Sequence, residues 1–201
     1  MVTAIDITLN GKLALTGSSS GTLSLMNLDS FEVVQTPGKT EAGVGIRLVC
    51  ILSDQARFVF VDMANRVELR NFNNKDAELL LDQPAVKVTC ITTHGVDYVL
   101  LGCENGELVL FNLHVKQYKY KYQAHSEAVS QVKSDPAGVI HFFVSGSASG
   151  CVKLWYVSKT VPPLSSQIWS HDNVYPHSIT ALAFVPHSED IVIGSFDNKV
   201  C

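Results

Sequence analysis

The chain has 201 residues, 46% hydrophobic and 17% charged, with a formal net charge of −4 and a mean hydropathy of +0.17. That balance excludes a disordered polypeptide and supplies no general attraction to nucleic acid or anionic lipid. No apolar run approaches the ~18 residues of a membrane span, and Thr3, Asp6, Thr8 and Asn10 interrupt the apolar residues where a secretory leader would be continuous, so a soluble, unsecreted chain is expected.

Helical periodicity is nearly absent. Five segments instead repeat at intervals of about forty residues, a period that marks stacked units. In chain order they begin at Val2 ("VTAIDITLNGKLALTGSSSGTLSLMNL"), Ile46 ("IRLVCILSDQARFVFVDMANRVELRNF"), Val88 ("VTCITTHGVDYVLLGCENGELVLFNL"), Val129 ("VSQVKSDPAGVIHFFVSGSASGCVKLWYV") and Ile179 ("ITALAFVPHSEDIVIGSFDNKVC"). Each predicts strand, polar turn, strand, small-residue turn, strand. The first turns are Asn10-Gly11, Asp54-Gln55-Ala56, His94-Gly95, Asp135 to Gly138 and His187 to Glu189, residues that accept positive φ or preset a turn. The second turns run Gly17–Gly21, Asp62–Asn65, Gly102–Gly106, Gly146–Gly150 and Gly194–Asn198. Between the triplets lies a more polar fourth run: "EVVQT", "AELLLD", "KQYKYKYQ" and "SSQIWS". Four-stranded antiparallel units whose last strand is the most polar suit the blades of a β-propeller, with the first strand at the axis and the fourth at the rim. The predicted blades span about 1–37, 44–83, 85–124, 128–171 and, truncated, 178–201.

At this level the chain resembles the WD-repeat family. The fourth unit carries the resemblance best: Ala124-His125 stands where the family has Gly-His, and Trp155 stands on the Trp of its Trp-Asp pair. Units one to three end in "LMNL", "LRNF" and "LFNL", placing Asn27, Asn71 and Asn112 where the family has Asp. The resemblance implies that His125, Ser145 and Trp155 belong to one structural hydrogen-bond network, from which the family's Asp is missing because Ser149 replaces it. Propellers of this family usually close with about seven blades, and Cys201 falls inside the expected third strand of unit five. Four blades and part of a fifth are therefore expected to belong to a longer propeller, completed by further residues or by a partner.

Several stretches invite a chemical reading. Gly17–Gly21 ("GSSSG") is a complete G-x-S-x-G, the pattern of a hydrolase nucleophile elbow with Ser19 at its centre. An elbow needs a helix directly after the serine, whereas Gly21 leads into an alternating strand. Equivalent turns carry Glu104 and Ala148 at the centre, so the turn recurs and the serine does not. "PGKT", Pro37 to Thr40, ends like a phosphate-binding loop but lacks the preceding glycine and the following helix; it is expected to be a flexible connection between blades. Cys90 and His94, or His171 and His177, are the nearest metal-type pairs, without a Cys-x-x-Cys or four convergent ligands. "YKYKY", Tyr118 to Tyr122, alternates aromatic and basic residues. It is either a base-stacking strip or an outer strand with Tyr packed inward and Lys119 and Lys121 guarding the edge. The five cysteines, odd in number and widely spaced, fit free thiols in a reducing compartment.

The expected function is a non-catalytic protein–protein interaction scaffold or adaptor, a subunit or fragment of a larger intracellular complex. No catalytic residue, cofactor, metal or small-molecule substrate is inferred. Partners are other proteins rather than nucleic acid or membrane, and the location is cytoplasmic, with the nucleus as the alternative. The resemblance places partner contacts where the second turns meet the connections between blades. Arg47, Arg66, Tyr175 and Phe196 are the expected contact residues there, since arginine and large aromatics dominate interface energetics. The alternatives are a serine hydrolase using Ser19 and nucleic-acid binding through Tyr118–Tyr122.

Overall fold

The structure, a computed structural model, describes residues 1–73, 77–82, 84–114, 117–135, 142–157, 165–171, 176–185 and 190–196. They divide into two compact units, Met1–Ala85 and Val86–Cys201. The first unit holds two antiparallel four-stranded sheets, β1 (Val2–Ile7), β2 (Leu13–Ser18), β3 (Thr22–Asn27) and β4 (Val33–Lys39), then β5 (Ile46–Ile51), β6 (Arg57–Asp62), β7 (Val67–Asn71) and β8 (Ala77–Leu81). The second holds β9 (Val88–His94), β10 (Tyr98–Cys103), β11 (Glu107–Asn112) and β12 (Gln117–Gln123), then β13 (Val129–Ser134), β14 (Phe142–Ser147), β15 (Val152–Val157) and β16 (Ser165–His171). A two-stranded sheet of β17 (Ile179–Phe184) and β18 (Ile191–Ser195) follows. Within each sheet every strand pairs with its neighbour in sequence, as short turns require. No described helix is long and apolar enough to cross a membrane.

Within each four-stranded sheet the second and third strands meet in the same turn. The amide of Gly21, Asn65, Gly106 and Gly150 donates to the carbonyl three residues back, on Ser18, Asp62, Cys103 and Ser147. All four have positive φ, between 66° and 82°. At Gly106 a Cβ would also come within 2.1 Å of the His125 carbonyl, so the crossing chain demands glycine there. The Gly17–Gly21 segment is thus one copy of a strand–turn–strand device. β3 follows it, and the helix that an elbow requires is not what comes next.

Two further local features follow from sequence chemistry. Asn27, Asn71 and Asn112 close the third strands: each Oδ1 accepts a backbone N–H two residues on, from Asp29, Asn73 and His114. An asparagine oxygen does this as well as a carboxylate. Pro37-Gly38-Lys39, expected to be a flexible connection, is instead the end of β4, with Gly38 opposite Leu23 and Lys39 opposite Thr22. β4 is an edge strand, where a proline costs no ladder bond, and irregular register beside it accommodates the ring.

Within each unit, neighbouring sheets pack face to face through their first strands. In each sheet the first strand carries one bulged residue: Thr3, Arg47, Thr89, Ser130 or Thr180. In the first unit Ile46 lies against Gly17, in a core shared with Leu15, Phe58 and Phe60. In the second, Val129 lies against Gly102 and Ile179 against Gly146. These contacts explain the glycine that opens the second turn of the first, third and fourth sheets: a Cβ on Gly146 would come within 2.6 Å of the Ile179 side chain.

Candidate functional site

The fourth sheet contains a buried polar relay. Trp155 Nε1–H donates to Ser145 Oγ at 2.9 Å, and Ser145 Oγ meets His125 Nε2 at 2.7 Å. The three residues are 5%, 0% and 4% exposed. With its oxygen accepting from the indole, the serine hydroxyl has its proton to offer the imidazole, which selects the tautomer protonated on Nδ1. Ser149 bonds instead to Ser147 Oγ, at 2.8 Å. Phe143 stacks on Trp155 at 5.8 Å, and Tyr122 closes the other side at 6.1 Å. Sealed in this way, the relay ties strands together and offers no group to a substrate.

The second sheet fills the same positions differently. Arg70 stands where Trp155 stands and Phe60 where Ser145 stands, each in equivalent register. The Arg70 guanidinium lies 5.0 Å over the Phe60 ring, and Nη2 and Nε reach Glu68 Oε2 at 2.9 and 3.2 Å. Nη1 donates to the Lys39 carbonyl. A cleft of about 520 Å³ opens beside β4, lined by Gln35, Pro37, Gly38, Lys39, Arg70 and Phe72, but Arg70 at its wall is committed to Glu68 and Lys39.

Arg47 and Arg66 come together around the second turn of this sheet. Arg47 occupies the bulge that carries a hydroxyl residue in the other four sheets, and a bulge re-aims its side chain. Its Nη2 donates to Asn65 Oδ1 at 3.0 Å, and Asn65 Nδ2 donates to the Pro84 carbonyl at 3.1 Å. Burial lowers the Arg47 pKa from its ordinary value, opposed by the charge of Asp62. Asp62 is buried and accepts the Arg66 amide at 2.8 Å. The Arg66 guanidinium lies 3.4 Å from both Glu41 and Asp82, whose side chains are 85% and 62% exposed. Met63, at the tip of the turn, is also exposed. Long pairs to solvated carboxylates are worth little, so Arg66 can exchange them cheaply.

Phe196 sits in the second unit, 74% exposed in the turn after β18, its amide held by the Ser178 carbonyl at 3.0 Å. Tyr175 lies outside the described residues. Sequence reasoning missed Met63, Asn65, Glu41 and Asp82. One signal was available: Asn65 replaces the glycine that closes the second turn of the first, third and fourth sheets, and asparagine tolerates positive φ while adding an acceptor.

The remaining motifs are plain in outcome. Ser19 is exposed, and its Oγ lies 3.5 Å from the amino terminus. Tyr120 and Tyr122 pack against the core of the third and fourth sheets, and Lys121 is exposed; the side chains of Tyr118 and Lys119 lie outside the description. Among the described residues no group of three or more His, Cys, Asp or Glu could hold a metal ion. Cys50, Cys90, Cys103 and Cys151 are free thiols. Burial pushes Cys90 up to about 12 and Cys103 up to about 11.

Comparison with known proteins adds two findings. The model of the WD domain, G-beta repeat, matches residues 116–156, from the entry to β12 to the end of the "LWY" of β15. The crystal structure of the Cps50 (Swd1) β-propeller domain of Myceliophteria thermophila is similar, with a TM-score of 0.81 at 13% identity. The alignment covers 98% of this chain and 66% of that one, so the chain spans about two thirds of that domain. At this identity the similarity establishes the fold. No curated protein matches the chain.

Proposed function

We propose, for a chain that belongs with the WD-repeat β-propellers, that it is a non-catalytic scaffold that docks other proteins as a subunit of a larger assembly. Packed sheets with recognition carried on their loops suit that role. The observation that carries the reading is the turn of the second sheet. Arg47 replaces the seam hydroxyl and is held by Asn65, while Arg66 is poised between two exchangeable carboxylates beside exposed Met63. An acidic segment of a partner, approaching with an apolar residue, would displace Glu41 and Asp82 and gain both cation and thioether. Phe196 and Tyr175 are further contact residues in the same proposal. The free thiols support a reducing compartment, and a cytoplasmic location completes the reading.

The test is quantitative affinity purification from cytosol with wild-type chain and with Arg47→Ala, Arg66→Ala, Tyr175→Ala and Phe196→Ala. Loss of a common set of partners in the arginine variants, with unchanged thermal unfolding, supports the site. Unchanged recovery in all four sinks it.

A further inference from the structure

The residue before Pro37 is a threonine, and among the chain's seven prolines only Pro37 follows a hydroxyl residue. Lys39 stands three residues after that threonine. A hydroxyl, then proline, then a basic residue at the third position is the pattern that proline-directed protein kinases of the cyclin-dependent class accept. Their groove gives the residue after the acceptor no partner for a backbone N–H, and proline has none to leave unpaired. The basic side chain adds a charge contact at the edge of that groove.

The fold places this pattern where an enzyme can take hold of it. β4 is the edge of its sheet, and Val33, Val34, Gln35 and Thr36 are all exposed. The register passes from Gln35 opposite Leu25 to Gly38 opposite Leu23, so Thr36 and Pro37 stand together where β3 has only Ser24. Such a bulge leaves the ladder already open at that step. The Thr36 hydroxyl makes no hydrogen bond among the described residues. Lifting an edge strand at a bulge is a local opening that costs far less than unfolding the sheet. Pro37, which is buried, leaves its seat in the same movement.

Thr36 also lines the cleft of about 520 Å³, together with Lys39 and Arg70, and among the described residues no carboxylate lines it. Arg70 spends three of its five N–H groups on Glu68 and the Lys39 carbonyl, which leaves one on Nη1 and one on Nη2. Nη1 lies against Gly38, where a Cβ would come within 2.7 Å of it. Lys39 is exposed and forms no ion pair among the described residues. We propose that Thr36 is a phosphorylation site for a proline-directed kinase, and that its phosphate is held in this cleft by Lys39 and Arg70. Thr36 Oγ attacks the γ-phosphorus of ATP; the Oγ–P bond forms as the bond to ADP breaks, and the hydroxyl proton passes to the kinase's catalytic aspartate. The phosphate brings nearly two negative charges and strong acceptor oxygens. Held by both cations, it joins β4 to β7 where Arg70 already reaches the Lys39 carbonyl.

Incubation of the full folded chain with a purified cyclin-dependent kinase and Mg-ATP, followed by tandem mass spectrometry, tests the site. Wild type is expected to take up one phosphate, on Thr36. Thr36→Val, close in shape and at an exposed position, is expected to lose that uptake with its thermal unfolding unchanged. Phosphorus NMR then reads the cleft. A free phosphothreonine takes its second proton at about pH 6, and beside Lys39 and Arg70 the phosphate should titrate lower in the folded chain than in the same chain unfolded in urea. Lys39→Met, phosphorylated to completion with more kinase, should lose part of that difference. A folded chain that takes up no phosphate on Thr36 overturns the site. A phosphate that titrates alike in folded and unfolded chain, or is unmoved by Lys39→Met, overturns its seat in the cleft.

Discussion

The fourth and second sheets answer one structural demand with different chemistry. Each must tie its third strand to the chain arriving from the sheet before it. In the fourth, Trp155 does so through Ser145 to His125, which follows β12, by neutral hydrogen bonds. In the second, Arg70 does so directly, to the carbonyl of Lys39 at the end of β4, with its charge balanced by Glu68 and its plane laid over Phe60. The difference teaches that the position, with its burial and its reach to the preceding connection, is what the fold requires. The residue type is negotiable so long as every buried polar atom it brings finds a partner.

The sharpest way to break the comparison is to remove each anchor. Trp155→Ala, which empties a packed aromatic site between Phe143 and Tyr122, is expected to cost about 3–5 kcal/mol in urea unfolding. Arg70→Met is expected to cost about as much, roughly 3–5 kcal/mol, for a different reason: it strands the 7% exposed Glu68 carboxylate. The two diverge on repair. Glu68→Leu added to Arg70→Met should recover most of the loss, whereas no second substitution of a charged residue should rescue Trp155→Ala. Ser145→Ala comes next, about 1–3 kcal/mol, since it leaves the indole N–H and the imidazole without their shared oxygen.

Smaller effects separate the units by pH. Cys90 and Cys103 in the second unit hold their protons well above the ordinary thiol value of 9.0. The native state therefore keeps protons that the unfolded chain releases, and stability falls as pH rises from about 9 towards about 12. Cys90→Ala should flatten that slope, read from urea midpoints across the window. In the first unit, Asp54 is the opposite case. Burial raises its pKa, but hydrogen bonds from the Ala56 and Arg57 amides and the Arg57 guanidinium outweigh it, so the net shift is downward. Its stabilisation is present at neutral pH and is lost as pH falls through the depressed value. Asp54→Ala should cost no more than about 1 kcal/mol at pH 7, because the turn is partly solvated.

How much of this was legible differed along the chain. The sheets could be read because the second turn of each four-stranded sheet needs a residue with positive φ and four of the five first turns use Gly, Asn or Asp, a signal local to a few residues. The end of β4 could not, because Pro37-Gly38 carries a breaker signal that only an edge position neutralises. Asn27, Asn71 and Asn112 could be placed but not explained until their oxygens were seen on backbone amides. Arg70 was invisible as an anchor: in sequence it is one more charged residue on a strand, and only its burial beside Glu68 distinguishes it. Arg47 and Arg66 were named from the repeat pattern, whereas their joining around Asn65 depends on the bulge and on Pro84, which no local pattern encodes.

The threonine at the first-strand bulge has a further consequence, for the order in which the structure comes apart. The single Thr3 hydroxyl proton is shared between the carbonyls of Gly17 in its own sheet and Ile46 in the next, and that of Thr89 likewise between Gly102 and Val129. Where a threonine bridges in this way, a sheet that opens must release its neighbour's leading strand at the same moment, so the first and second sheets, and the third and fourth, are expected to open in pairs. Amide hydrogen exchange should then protect β5 and β13 in step with β2 and β10 respectively, and replacing Thr3 or Thr89 by valine should uncouple the paired rates while leaving the individual ladders intact.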